Sequence, residues 1–237
     1  MAGLRLTNGR IDLRDGDRAF RLEVDVLALA PGETVALTGP SGSGKTLLLE
    51  LLGLLRAPGR GTAYHSGEND LAALWEQGAR SAALARGRGR LFGFVPQTGG
   101  LMPFLTVTEN VALPQAICDR RDPDRVSDLI DRLGLTDVSR LRPGALSIGQ
   151  RQRTAIARAL SHRPPFIVAD EPTAALDPDS ADRVLDLLLE AARQDGTGVI
   201  LSSHDIARME RFAIPRRALV VVTEGNSAVS RLKAPAC

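Results

Sequence analysis

Residues 34–46 read Thr-Val-Ala-Leu-Thr followed by Gly39-Pro40-Ser41-Gly42-Ser43-Gly44-Lys45-Thr46. The first five form a short, nearly continuous apolar run after the Pro31-Gly32 turn, the pattern of a buried strand. Helical periodicity starts at Gly44 and is expected to run through LLLELLGLL to Leu55, ending near Ala57-Pro58-Gly59. The octapeptide between them fits G-x-x-x-x-G-K-[ST] in the strand–loop–helix setting that this pattern requires. Glycines let successive backbone N–H groups curve around phosphate oxygens, and the helix that follows adds its positive end. Lys45 can reach the β- and γ-phosphates as a compact point charge, and the Thr46 hydroxyl can ligate Mg²⁺. At ordinary residue usage a chance match in a chain this long is roughly a one-in-a-hundred event, so phosphate binding is the reading.

Working outward, Leu4/Leu6 and Leu22/Val24/Val26 alternate as strands do. Leu91–Val95, Phe166–Ala169, Gly198–Ser202 and Ala218–Val222 read as further strands, with a final one near Ala228–Leu232. Between residues 97 and 165 the pattern is helical, with apolar spacings of three and four over Thr108–Ala116, Asp124–Leu133 and Ser147–Leu160. A further helix is expected from about Pro178 to Arg193, and residues 60–90, rich in Gly, Arg and Ala, show no clear element. Strands alternating with helices at both ends predict an α/β fold with a mainly parallel sheet and an inserted helical subdomain. The expected division is a core lobe of residues 1–96 and 164–237 and a helical subdomain of residues 97–163.

The 237 residues carry 30 Lys and Arg against 28 Asp and Glu, a net charge of +2. Such a balance gives no support to a nucleic-acid partner. Only Lys45 and Lys233 are lysine, which draws attention to what arginine could not do at position 45. Cys118 and Cys237 make neither a disulfide framework nor a metal site, and that usage points to a reducing, cytosolic compartment. The N-terminal residues lack the apolar core of a signal peptide. The longest apolar stretches, such as Leu47 to Leu49 continuing through Leu51 to Leu55, fall far short of the ~18–20 residues a membrane span needs.

Phe166-Ile-Val-Ala-Asp170-Glu171 sets two acids at the carboxyl end of a buried strand, the sheet edge that faces ligands in open α/β folds. Asp170 is then placed to hold Mg²⁺, and Glu171 to orient or deprotonate an attacking water. Ser147 and Gln150, in Leu146-Ser-Ile-Gly-Gln150, form a capping-box pair at a helix start. The same serine hydroxyl and a glycine amide also suit an anion. In a separate lobe they could not serve their own chain's nucleotide and would need a second copy.

Taken in order, the loop at 39–46, the lone Gln97 after a strand, LSIGQ at 146–150, FIVADE at 166–171, Leu176-Asp177, and His204 after GVILSS resemble the ATP-binding subunit of an ATP-binding cassette (ABC) transporter. The resemblance covers essentially the whole chain. It implies a P-loop NTPase core with an N-terminal antiparallel β region, and two domains closing head to tail around two ATP molecules. Each nucleotide would lie between residues Gly39 to Thr46 of one chain and Ser147, Gly149 and Gln150 of the other. Glu171 would be the general base, His204 would contact the γ-phosphate, and Gln97 would approach Mg²⁺ and the attacking water. Asp177 would communicate across the dimer. His65 and His162 have no place in the set. The implied enzyme is an ATPase that drives a separate membrane permease, most simply as a homodimer on the cytoplasmic face of the membrane. The wording LMPFLTVTENVALP and ADEPTAALDP is similar to the lipoprotein-release, macrolide-export and cell-division subgroup. A cassette that signals mechanically to a membrane or cell-wall partner would carry the same site. Little sequence follows His204, so the large carboxyl-terminal regulatory domain of some sugar importers is not expected.

Two departures stand out. Ile148 replaces the usual first glycine of the LSGGQ signature, and a β-branched residue disfavours positive φ. With Gly149 retained, a changed rate or dimer affinity is expected, not loss of hydrolysis. The family also stacks adenine on an aromatic residue upstream of the loop. Here Leu13 aligns with that position and Phe20 is the nearest aromatic, a core residue by default. Leu101, Met102, Phe104 and Leu105, after Gln97, fall where the family receives a coupling helix from the permease, although burial is the default for such residues.

Overall fold

Alternating apolar residues at the N-terminus produce a long hairpin. The computed structural model, which describes residues 2–234, pairs β1 (Leu4–Asp15) with β2 (Arg18–Leu29) in antiparallel register, with Ile11 opposite Leu22 and Leu13 opposite Phe20. The chain then runs through β3 (Thr34–Thr38), α1 (Lys45–Leu52), β4 (Ala63–Ser66), β5 (Asn69–Asp70), α2 (Ala82–Leu91) and β6 (Phe92–Val95). Three helices follow: α3 (Val107–Ile117), α4 (Pro123–Arg132) and α5 (Ile148–Leu160). The remainder is β7 (Phe166–Ala169), α6 (Pro178–Asp195), β8 (Gly198–Ser202), α7 (Ile206–Arg211), β9 (Arg216–Glu224) and β10 (Ser227–Leu232).

The strands form one sheet ordered β5-β4-β1-β2-β10-β9-β3-β8-β7-β6. From β9 to β6 every pair is parallel. The other half is antiparallel except where β10 lies parallel to β2. This is the α/β architecture of a P-loop NTPase with an antiparallel N-terminal region. Strand β7 is apolar throughout, and β3 and β8 are apolar at their centres, because both faces of these strands are covered. Val35, Leu37, Phe166, Val168 and Ile200 pack toward α1, whereas Ala36, Ile167, Ala169, Val199 and Leu201 pack toward α5 and α6. Gly93 in β6 lets α5 come close, since a Cβ there would lie 2.2 Å from the Ala159 carbonyl oxygen.

The structure amends several expectations. Helix α1 stops at Leu52, not Leu55, because Gly53 caps it and Leu54 turns left-handed (φ 57). The Leu54 and Leu55 N–H groups bond back to Leu51 and Glu50, a helix-ending pattern that usually employs glycine. Full burial of the Leu54 side chain offsets the strained backbone. Leu91 belongs to α2 and not to a strand, and the unassigned stretch 60–90 contains β4, β5 and α2. No described helix is long and apolar enough to cross a membrane. Cys118 is a free thiol, and Cys237 lies outside the described residues.

Candidate active site

The strand β3 delivers the chain to Gly39, and the loop that follows bends through left-handed glycines, Gly42 at φ 76 and Gly44 at φ 88. Open space lies where a Cβ at Gly42 would stand, whereas one at Gly44 would press within 3.1 Å of the Phe20 ring. Helices α2 to α7 all begin with a side-chain cap: Ser81, Thr106, Asp122, Ser147, Asp177 and Asp205. Helix α1 has none, and no acidic residue in its first turn. Its first N–H groups therefore have no side-chain acceptor among the described residues and suit an anion. Lys45 Nζ, largely buried, donates to the carbonyls of Gly39 (3.0 Å) and Pro40 (3.1 Å). Burial pushes its ammonium below the ordinary value, while Glu171 and Asp170 pull it back up. An anion arriving at the loop would be met by a charge that is poorly solvated.

At the end of β7, 124 residues away in sequence, Asp170 Oδ2 accepts from Thr46 Oγ1 at 2.8 Å. A hydroxyl and a carboxylate side by side are the donor set of a hard cation such as Mg²⁺, so these residues fit one. Asp170 Oδ1 accepts from Ser202 Oγ (2.6 Å), which in turn accepts from the Glu171 N–H (2.8 Å). Glu171 is held at φ 45, a left-handed conformation unusual for a non-glycine residue. That turn aims its carboxylate at both neighbours. His204 Nε2 lies 2.6 Å from Oε1 and Gln97 Nε2 lies 3.3 Å from Oε2. Ser41 to Thr46, Gln97, Glu171 and His204 line one cleft of about 440 Å³, together with Leu13, Phe20 and Leu47.

Ser147, Gly149 and Asp177 are not part of that cleft. They line a second one of about 510 Å³ with Ile148 and Leu176. Ser147 Oγ accepts from the Gln150 N–H (3.2 Å) and Gln150 Oε1 from the Ser147 N–H (2.8 Å), so the capping box forms. Ile148 occupies the first turn of α5, outside the positive-φ residues, and its side chain is 54% exposed, so the backbone part of the concern does not arise. A β-branched residue is unstrained there. Gly149 shows the opposite economy. Its φ is not positive, and a Cβ would meet only Leu176 Cδ2, at an ordinary 3.6 Å. Nothing among the described residues calls for glycine there, although glycine weakens a helix. Its bareness suits the close approach of something outside the chain.

Three positioning residues escaped the sequence reading. Ser202, fully buried, ties Asp170 to Glu171, and its signal was only a serine ending an apolar strand. Asn110, also fully buried, accepts from the Met102 N–H and donates to the carbonyls of Met102, Leu105 and Thr106. It thereby fixes the segment after Gln97. Arg158 donates to the carbonyls of Gly99 and Gly100, and burial lowers its pKa. In that segment Leu101, Met102 and Leu105 are half-buried, and only Phe104 is widely exposed, at 66%.

A match to the ABC transporter family spans residues 22–174, from β2 through both acids after β7. The chain belongs to the ABC transporter family. This cassette is 43% identical over 198 residues to the lipoprotein-releasing system ATP-binding protein LolD 1 of Caulobacter vibrioides, covering 81% of each chain. It is 38% identical over 226 residues to LolD of Paramagnetospirillum magneticum, covering 92% of the cassette and 97% of that protein. Among solved structures it resembles the dimeric bacterial ABC transporter cassette MJ0796, with TM-score 0.81, 30% identity, and coverage of 98% and 97% of the two chains. The ADP- and Pi-bound post-hydrolysis dimer of MJ0796 gives TM-score 0.80 and 31% identity, with coverage of 97% and 94%. The cassette is an ATP-binding and ATP-hydrolysing subunit of an ABC transporter.

Proposed function

We propose that two copies of this cassette close head to tail, each completing the other's active site. The observation that carries this reading is the split of the expected residues between two clefts. Ser41 to Thr46, Glu171, Gln97 and His204 line one, with Asp170 bonded to Thr46, and Ser147, Gly149 and Asp177 line the other. In the closed pair the Gly39–Thr46 loop of one copy holds the triphosphate, and Ser147, Gly149 and Gln150 of the second copy cover the γ-phosphate. Residues 97–163 act as the helical subdomain that carries this second surface.

Thr46 and Asp170, and with them Gln97, would hold Mg²⁺, which would supply positive charge to offset that developing on the phosphates. Lys45 swings from the Gly39 and Pro40 carbonyls to the phosphates. Glu171 takes the proton of the attacking water at its carboxylate, and Gln97 orients that water. His204, already on Glu171 Oε1, donates to the γ-phosphate as charge develops. Asp177 caps α6 and lies beside Gly149's cleft, where a change at one interface is passed to the other.

The LolD relatives support a peripheral position on the cytoplasmic face of the membrane and a role in releasing lipid-modified proteins. The exposed Phe104, on a segment pinned by Asn110 and Arg158, suits contact with a permease helix. The test is phosphate release by Glu171→Gln. Turnover should fall by about 10²–10⁴-fold while ATP binding persists and an ATP-bound dimer accumulates. Unchanged phosphate release would refute the base assignment.

A further inference from the structure

Strand β10 carries a serine where its neighbours on the same face, Ala228 and Leu232, are apolar. Ser230 is completely buried, and a hydroxyl taken out of water needs a hydrogen-bond partner. Register sets Ser230 beside Leu22 of β2 and Val221 of β9, and the Leu22 side chain stands 3.6 Å from where a Gly44 Cβ would be. The hydroxyl finds its partner in the phosphate loop. Ser230 Oγ donates to the Ser43 carbonyl at 2.6 Å, across 187 residues of sequence. Ser43 is itself fully buried, and its own hydroxyl has no partner among the described residues, so the Ser43 side chain does not anchor the loop.

The carbonyl that Ser230 holds belongs to the peptide joining Ser43 to Gly44. In a planar trans peptide the C=O and the N–H of the next residue point in opposite directions. Fixing the Ser43 oxygen toward β10 therefore aims the Gly44 N–H the other way, and Gly44 lines the phosphate cleft. That N–H has no acceptor among the described residues. Gly44, at φ 88, has the widest backbone freedom of any residue type, so an untethered peptide here would be free to turn. The other restraint on the loop is not permanent. Lys45 Nζ holds the Gly39 and Pro40 carbonyls but is needed at the phosphates, whereas Ser230 does not line the cleft and keeps its bond when a ligand is present. We propose that Ser230 is a further positioning residue: it presets the Gly44 N–H for a phosphate oxygen and so reduces the reorganisation that binding costs. This rests on the assignment of the loop to a triphosphate.

The test is equilibrium binding of ATP and inorganic tripolyphosphate to the full chain and to Ser230→Ala, with steady-state phosphate release beside it. Alanine should weaken both ligands by the same factor, about five- to thirtyfold. The Gly44 N–H serves ground state and transition state alike, so KM for ATP should rise while kcat stays within about twofold. Unchanged affinities, or a fall in kcat alone, overturn the proposal. Ser230→Thr keeps the hydroxyl and should restore native affinity; a threonine variant as weak as alanine assigns the loss to packing and overturns it too. Thr197→Val separates positioning from stability. It removes another buried hydroxyl bond, to the Pro164 carbonyl at 2.9 Å, at the amino end of β8 and away from the loop. Both affinities should be unchanged in that variant, and an equal loss there would make the Ser230 effect one of stability alone. Lys45→Ala tests the cradle by itself. Normal affinity for both ligands in that variant overturns the loop assignment, whereas lost binding there with Ser230→Ala unaffected overturns only the role of Ser230.

Discussion

Replacing Ser202 by alanine removes one hydroxyl that serves two acids. In the native chain Ser202 Oγ donates to Asp170 Oδ1 at 2.6 Å and accepts from the Glu171 N–H at 2.8 Å, with the side chain fully buried. Alanine leaves a buried carboxylate oxygen and a buried N–H without this partner, at about 1–3 kcal/mol for each group. Asp170 keeps its second oxygen on Thr46, so the combined cost falls near the lower half of that range, about 2–4 kcal/mol. For a chain of this length the melting midpoint should drop by roughly 4–15 °C. The larger effect is on chemistry. Glu171 holds a left-handed backbone (φ 45) that costs about 1–2 kcal/mol, and the Ser202 bond helps keep it there. Once freed, Glu171 can relax away from His204 and Gln97. Turnover should fall at least tenfold beyond the loss of folded protein, while ATP binding changes little because the loop is untouched. Urea unfolding combined with steady-state phosphate release measures both quantities. A stability change under about 0.5 kcal/mol with normal turnover, as for an ordinary surface substitution, would refute the role given to Ser202.

Two other perturbations bear on the fold that holds the site. Gly93→Ala places a methyl 2.2 Å from the Ala159 carbonyl oxygen, forcing α5 off the sheet at a cost of about 3 kcal/mol or more. Loss of soluble, cooperatively melting protein is expected, and normal unfolding would show that α5 is packed more loosely. Acid should loosen three helix starts together. Glu109 is held below 4.5 by the Thr106 backbone N–H and hydroxyl, Asp122 below 3.8 by Arg163 and the Arg125 N–H, and Asp177 below 3.8 by the Ser180 hydroxyl and N–H. Unfolding returns each to its ordinary value, so the unfolded chain binds more protons as pH drops. Their stabilisation is complete above those values and is lost as pH falls through the lowered folded-state values. Melting midpoints measured from near neutrality down to acid should show this fall, and it should be shallower in Glu109→Gln; an identical slope would remove Glu109 from the explanation.

Much of the scaffold was legible because local and tertiary demands agree. Phe166–Ala169 is apolar throughout, and Thr34–Thr38 apolar at its centre, since α1 covers one sheet face and α5 and α6 the other. Ser147 and Gln150 announced a helix start, and the capping box formed. The stretch 60–90 was opaque for the converse reason. Helix α2 carries three arginines and two glycines, and only Leu84 is buried, so little periodicity survives. Strand β4 is four residues long and exists by pairing with β1. Within the site, Asp170 and Glu171 could be read from sequence because they are acids at a strand end. Ser202 and Asn110 could not, since a polar side chain gains its meaning from partners that the fold supplies, 31 and 32 residues away for Ser202. Hairpin register sets Leu13 and Phe20 opposite each other, and both line the cleft, a juxtaposition that the sequence pattern alone did not show.

Active sites shared between two copies are tested most directly by complementation. Lys45→Ala disables the phosphate loop of its own chain. Gly149→Asp is tolerated by the fold, since its Cβ meets only Leu176 at 3.6 Å, and it sets a carboxylate against the partner's phosphates. Each variant alone should be inactive. In an equal mixture half of the symmetric pairings become mixed dimers, and each has one intact composite site. ATPase activity should then return to about a quarter of the native level. No recovery on mixing, or full activity of Gly149→Asp by itself, would contradict a site built from two chains.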